Sequence, residues 1–175
     1  DPDLVQEGQR NLVDYFEKKG YFDAKVTTTF DRKPNAILVV YKIEKGKKHK
    51  VDRVAVRGNH EIPEKDLLPQ IIVKKAHFWN HGSFSQKLLK QSEKNLEALY
   101  HDRGYEDVKI QSQALDREPK IDVVFNVTEG AQTVVNNAEV TGNEHIPYNK
   151  LAPPVGIQMH PGAPFSPRLF NEDRN

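Results

Sequence analysis

His77 and His81, four residues apart, are the pair whose spacing most invites chemistry. On one face of a helix such a pair can share a zinc ion. Here the intervening Phe78-Trp79-Asn80 and the following Gly82 read as loop, and no Glu or third ligand stands nearby. His49, His60, His101, His145 and His160 show no ligand spacing, and His160 adjoins the turn signal Pro161-Gly162. Without cysteine there is no thiolate metal site, no disulfide framework and no cysteine nucleophile. The sequence has no Gly-x-Ser-x-Gly elbow, His-Glu-x-x-His pair, P-loop or dinucleotide fingerprint. No acid/base couple stands out among the scattered carboxylates. No metal, cofactor or catalytic residue is assigned, and the chain is not expected to be an enzyme. The chemistry left is recognition. Phe78 and Trp79 would anchor an interface if exposed, or would fold back over neighbouring helices. The run Glu44-Lys45-Gly46-Lys47-Lys48-His49-Lys50 could meet acidic head groups or a partner, or serve as a soluble linker.

The composition narrows the classes further. The 175 residues are 37% hydrophobic, enough for one medium core or two small ones. Charged residues make up 29%, yet the net charge is only +1, so no basic stripe argues for nucleic acid. No apolar run approaches the ~18–20 residues that span a bilayer. No signal peptide is visible, and Asp1 lies inside what reads as a helix, so a mature or excised piece is expected.

An internal repeat organises the chain. Asn11-Leu12 and Gly20-Tyr21 recur as Asn95-Leu96 and Gly104-Tyr105. Val56-Arg57-Gly58-Asn59 with Ile62-Pro63 recurs as Val140-Thr141-Gly142-Asn143 with Ile146-Pro147, Gly46 as Gly130, and Leu67 as Leu151. Every pair is 84 residues apart, and residues 11–67 match 95–151 at 17 of 57 positions without a gap. Asp31-Arg32-Lys33-Pro34 and Asp116-Arg117-Glu118-Pro119 sit one residue out of step, which suggests a length change confined to the hairpin. A period this long suits a small domain repeated in a row.

Residues 50–130 hold a complete copy. Val51, Val54 and Val56 mark a strand ending at Gly58-Asn59. Pro63 suits the first turn of a helix whose apolar face is Leu67, Leu68, Ile71 and Ile72, with Pro69 making it short or kinked. Ser83 or Ser85 can cap a second helix with the stripe Leu88, Leu89, Ser92, Leu96, Leu99 and Tyr100, stopped by Gly104. The earlier counterpart carries Val5, Gly8, Leu12, Tyr15 and Phe16. Val108, Ile110, Ser112 and Ala114 alternate as a strand, and Ile121, Val123, Phe125 and Val127 as its hairpin partner. The earlier hairpin has Ala24, Val26, Thr28 and Phe30 with Ile37, Val39, Tyr41 and Ile43. The expected unit is α+β, strand–helix–helix–strand–strand. Two helices pack on one face of a three-stranded mixed sheet, and the other face is more polar and wet.

This order, with Gly58-Asn59 after the first strand, Gly82-Ser83-Phe84-Ser85 before the second helix and Tyr100 to Gly104-Tyr105 at its end, resembles the POTRA domain. Glu129-Gly130 after the last strand fits as well. The resemblance covers nearly the whole chain. It implies tandem modules: residues 1–46 as the helix and hairpin of one, 50–130 as a complete one, and 134–175 as the first strand, first helix and start of the second helix of another. Pro161-Gly162-Ala163-Pro164-Phe165-Ser166 mirrors the start at Gly82. The two end pieces together hold the elements of one module, so they are expected to complete each other, either within one chain or by self-association of two chains through these terminal half-modules as a domain swap.

The resemblance further implies the periplasmic face of a Gram-negative outer membrane. It implies a parent anchored by a C-terminal β-barrel, as in BamA-like assembly factors. Unfolded outer-membrane protein precursors and accessory outer-membrane lipoproteins would be the partners. A two-partner secretion or translocation-and-assembly transporter, binding a dedicated passenger, is the alternative, and a cell-division POTRA protein with a single module is a third. The docking strand expected is Val108, Lys109, Ile110, Gln111, Ser112, Gln113 and Ala114, with Ala24 to Phe30 as its counterpart in the partial copy, an edge to which an extended client adds. The same stretch also reads as an ordinary small-sheet strand whose polar face prevents aggregation.

Overall fold

The computed structural model describes residues 2–78, 81–139, 141, 144–145, 150 and 158–174. Its elements are helix α1 (Pro2–Lys18), strands β1 (Lys25–Lys33), β2 (Ala36–Glu44) and β3 (Lys50–Arg57), helices α2 (Glu64–Leu67) and α3 (Gln86–Asp102), strands β4 (Lys109–Arg117) and β5 (Lys120–Thr128), and helix α4 (Pro167–Arg174). β1 and β2 form a two-stranded sheet, and the second sheet has the order β3-β5-β4. The unit from β3 to β5 is therefore strand–helix–helix–strand–strand.

The repeat holds to the residue. Moved by 84 positions, α1 becomes α3, β1 becomes β4 and β2 becomes β5, with identical bounds. The out-of-step Asp-Arg-x-Pro motifs thus mark no length change. Both hairpins turn on two residues, Pro34-Asn35 and Glu118-Pro119, and proline slides from the first turn position to the second. The strands also extend further than expected, taking in Asp31 to Lys33 and Asp116-Arg117.

A two-residue connection makes β4 and β5 antiparallel. β3 runs parallel to β5. Its first residue, Lys50, donates its N–H to Pro119 O just before β5 (2.9 Å), and Gly58, just past its end, abuts Val127 near the end of β5. The sheet is mixed, as expected. Gly58 has φ +81°, and a Cβ there would stand 2.2 Å from Val127 O. Left-handed backbone and the lack of room for a methyl both require glycine.

The chain clusters into two compact units, residues 1–55, 71–92 and 112–124, and residues 56–70, 93–111 and 125–175. In the first, α1 lies on the β1–β2 hairpin. Gln9 Nε2 donates to Val26 O (2.6 Å), Thr28 Oγ1 to Gln9 Oε1 (3.3 Å) and Tyr41 Oη to Val5 O (3.3 Å). Gly8 is where Tyr41 comes closest, since a Cβ would meet its hydroxyl at 2.7 Å. The same unit buries Phe22 between two rings, Phe84 edge-on at 5.0 Å and His49 stacked at 6.4 Å. In the second unit Leu67, Leu96, Tyr100 and Phe125 are fully buried.

The helix after β3 differs from its sequence pattern. Only Glu64–Leu67 is α-helical, with Pro63 at the N-cap, and Leu68–Gln70 tightens to a 3-10 turn. Proline at 69 lacks the N–H the helix needs, so Ile71 and Ile72 leave it. Ile71 is buried all the same, and Leu68 is exposed. The second face of the sheet is not uniformly wet either. Asp122 and Val124, on the face opposite Ile121 and Val123, are buried, and Asp122 is paired with Arg117. A central strand with a neighbour on each side loses more solvent than alternation alone suggests.

The first strand expected within 134–175 is not formed among the described residues 134–139, where one bridge joins Val134 to Pro164. Val140, Gly142, Asn143, Ile146, Pro147 and Leu151 lie outside the described residues. The expected opening of a second helix there is α4.

A candidate peptide-docking edge

Among the described residues β4 has one neighbour, β5, and its other side is an edge of the sheet. It starts at Lys109, one residue later than the sequence suggests, because buried Val108 still belongs to the approach from Gly104. Within it Ile110 is buried, Ser112 half-buried, and Lys109, Gln111, Gln113 and Ala114 exposed. An edge needs polar outward side chains to stay unpaired in water, and Lys109, Gln111 and Gln113 supply them. In the first copy Ala24 is buried just ahead of β1, and β1 pairs with β2 alone from Lys25↔Glu44 to Lys33↔Ala36.

Ion pairs fasten the turn end of β4. Arg117 pairs with Asp122, Lys47 Nζ meets Glu118 Oε2 at 2.6 Å, and Lys120 Nζ meets Asp52 Oδ2 at 3.3 Å. Asp116 Oδ1 accepts the Glu118 N–H (3.0 Å) and lies 3.4 Å from Nε2 of the buried His49. The basic run at 44–50 is therefore engaged in the fold. Lys47 is paired, Lys45 and Lys48 lie over the Tyr21 ring at 5.4 and 5.8 Å, and His49 donates its N–H to Gly20 O at 2.8 Å. The next junction repeats that bond 84 residues on, Thr133 N to Gly104 O at 2.8 Å. Gly20 and Gly104 both sit at positive φ, and a Cβ on either would stand under 3 Å from the carbonyl of the residue bonded there, at His49 O or Thr133 O. The helix-stopping glycine thus also holds the chain leading out of its hairpin.

Just past the end of β5, a buried carboxylate fixes the turn after β3. Glu129 accepts from Tyr100 Oη (2.9 Å), His60 N (3.0 Å) and Glu61 N (3.1 Å). Burial opposes its ionisation, but the bonds from Tyr100 and the N–H groups of Glu61, His60 and Ile62 outweigh it and hold the carboxyl below the usual range. Burial and the Glu129 bond push the Tyr100 phenol well up. Sequence reading passed over this pair. The signal was in the repeat: Tyr100 and Glu129 stand where the first copy has Phe16 and Lys45, so both partners change together.

The loop 74–82 is closed at its neck. Lys74 and Ser83 exchange both backbone bonds (3.0 and 2.9 Å), Ala76 N donates to Val51 O (2.8 Å) and Val51 N to His81 O (3.0 Å). Phe78 near its tip is 89% exposed, and Trp79 lies outside the described residues. His77 and His81 are on this loop rather than a helix, and His81 packs beside Gly20. Among the described residues no cluster of three or more His, Cys, Asp or Glu could hold a metal ion, and no helix is long and apolar enough to cross a membrane.

A helix and hairpin repeated at a fixed period, the second copy preceded by a strand and a short helix that complete a mixed sheet, define a tandem α+β module. The POTRA family model, described as surface antigen variable number repeat, matches residues 1–46 and 49–130, and the chain belongs to that family. It is 24% identical over 143 residues to a putative outer membrane protein assembly factor of Treponema pallidum, covering 78% of this chain and 17% of that protein. It is 22% identical over 135 residues to outer membrane protein assembly factor BamA of Neorickettsia risticii, covering 75% and 18%. The chain thus spans under a fifth of these relatives' length. In fold it is similar to POTRA3-5 of Haemophilus influenzae BamA, with TM-score 0.59, 17% identity, and 95% of this chain and 65% of that one covered. Haemophilus ducreyi BamA lacking POTRA domains 1-3 gives TM-score 0.54 at 12% identity, covering 76% and 26%.

Proposed function

We propose that this chain is a docking array on the periplasmic side of a Gram-negative outer membrane, within a BamA-like assembly factor anchored by a β-barrel. It is a non-catalytic scaffold that takes up unfolded β-barrel precursors as extended strands along β4. The observation that carries this reading is the edge position of β4, which leaves a row of backbone donors and acceptors unmatched by β5. Backbone bonds supply affinity without reading sequence, which suits many clients. The alternating Lys109, Gln111 and Gln113 give only loose selection. Accessory lipoproteins would use separate anchors, of which the exposed Phe78 with neighbouring Trp79 is the best candidate.

The test is isotope-edited NMR of the chain titrated with a peptide copied from a β-barrel strand. Amide shifts concentrated in residues 109–115 are expected, and replacing Ser112 or Ala114 by proline should weaken binding by removing a backbone donor that faces away from β5. Shifts lying elsewhere, or binding untouched by both prolines, would remove the basis for β4 as the dock.

A further inference from the structure

Two joints in the chain repeat one device. Ser85, just ahead of α3, accepts the Leu88 N–H (3.2 Å) and donates its hydroxyl to the carboxyl of Glu17, the last residue but one of α1. Ser166, just ahead of α4, accepts the Leu169 N–H (3.3 Å) and donates to Asp102 Oδ1 (2.9 Å), the last residue of α3. Both serines are buried. Each serine therefore caps one helix and ties it to a carboxyl at the end of the helix before.

The second residue of the capped helix sets the two joints apart. At the later joint it is Arg168, whose Nε lies 3.2 and 3.1 Å from the two Asp102 oxygens. At the earlier joint it is Lys87, which is exposed, as is Lys18 of α1. Both line the cleft of about 350 Å³ that holds Glu17, yet among the described residues neither is paired with it. The cleft is walled by Ile72, Phe84 and Leu88, and Asp14 stands one turn back on α1. A carboxyl among apolar groups, beside a like charge and without a cation, is favoured in its neutral form. Burial and the Asp14 charge accordingly raise it to about 7. We propose that Glu17 is a pH-operated catch between the end of α1 and the start of α3. Neutral, its carboxyl rests in the cleft on the Ser85 hydroxyl. Ionised, it leaves for water and the two helix ends part. The Asp102 joint, neutralised by Arg168, stays closed over the same range, so pH acts on one joint and not on the next. The catch lies away from β4, and the inference does not rest on client docking there.

Paired spin labels test it in the full chain, which has no cysteine of its own. Labels on Glu7→Cys in α1 and Lys90→Cys in α3, both exposed positions, read the spacing of the helices by pulsed electron resonance. The amides of Leu88 and Leu169 read the two serine caps by NMR of the unlabelled chain. From mildly acid to mildly alkaline pH, one narrow distance should give way to a longer and broader distribution with a midpoint near 7. The Leu88 amide should move with the same midpoint, and the Leu169 amide should not. Glu17→Gln should keep the acid distance and a fixed Leu88 amide throughout. His81, packed beside Gly20, is the neighbouring group that also titrates, held below its usual range by burial and then by Lys48 and Lys50. His81→Asn should leave the midpoint in place. A spacing that is the same at both ends of the range overturns the proposal. So does a midpoint that survives Glu17→Gln or disappears in His81→Asn, or a Leu169 amide that moves in step with Leu88.

Discussion

Replacing Glu129 by alanine should destabilise the 50–130 module by about 2–6 kcal/mol. The wild-type carboxylate receives four donors, the Tyr100 hydroxyl and the N–H groups of His60, Glu61 and Ile62. They do not suffer equally when it is removed. His60 and Glu61 are exposed and can turn to water. Tyr100 and Ile62 are buried, and each buried donor left without an acceptor costs about 1–3 kcal/mol. That loss is a large share of the ~5–15 kcal/mol that holds a domain folded. Glu129→Gln keeps the shape and one strong acceptor and should lose about 1–2 kcal/mol. The acid limb carries a second signature. The folded carboxyl titrates below the unfolded one, whose value is about 4.3. Its contribution is therefore complete above that value and disappears as pH falls through the lowered folded value. Urea melts from neutral to acid pH would show both effects, with Glu129→Gln flattening the acid limb. Glu129→Ala within ~0.5 kcal/mol of wild type, the level of an ordinary surface change, would refute the network as a structural tie.

Glu17 should behave in the opposite sense. Burial, then the nearby Asp14 charge, raise its carboxyl to about 7 against a weaker opposing bond from Ser85. Its stabilising contribution is complete below the unfolded value and lost as pH rises through about 7, so Glu17→Gln should raise the melting temperature above pH 7 and change it little in acid. Ser92→Ala removes the hydroxyl that accepts from Ile72 N (3.0 Å) and donates to Leu88 O (2.7 Å), and should cost about 1–3 kcal/mol in denaturant unfolding. Gly58→Ala forces a methyl against Val127 O at positive φ and should cost about 3 kcal/mol or more, read as a lowered melting temperature.

Much of the fold was legible because small, local rules agree with one another. The helical stripe from Leu89 to Tyr100 follows one period, and Ile121, Val123, Phe125 and Val127 alternate in sequence along β5, although Asp122 and Val124 between them are buried too. The 84-residue recurrence placed both sets twice, and the element bounds reproduce it. Local reading failed where a backbone detail outweighed side-chain pattern. Leu67, Leu68, Ile71 and Ile72 keep helical spacing, but Pro69 ends the hydrogen bonding, so only Leu67 belongs to the helix proper. It failed again at Asp116-Arg117-Glu118-Pro119, where matching letters suggested an insertion and the hairpin has none.

The order of elements, the glycine positions and the period between modules were set by the sequence, because each depends on residues close along the chain. Which strand lies at an edge is a different kind of fact. β5 is the more apolar of the pair, but it is the crossover that brings β3 beside β5 that makes one strand central and the other open. The Tyr100–Glu129 tie and the burial of His49 likewise join residues far apart in the chain, which no local period can report. Most telling are Ile37 and Ile121, the same residue at the same repeat position, one exposed and one buried. Burial depends on what the rest of the chain brings alongside, and that is decided in three dimensions.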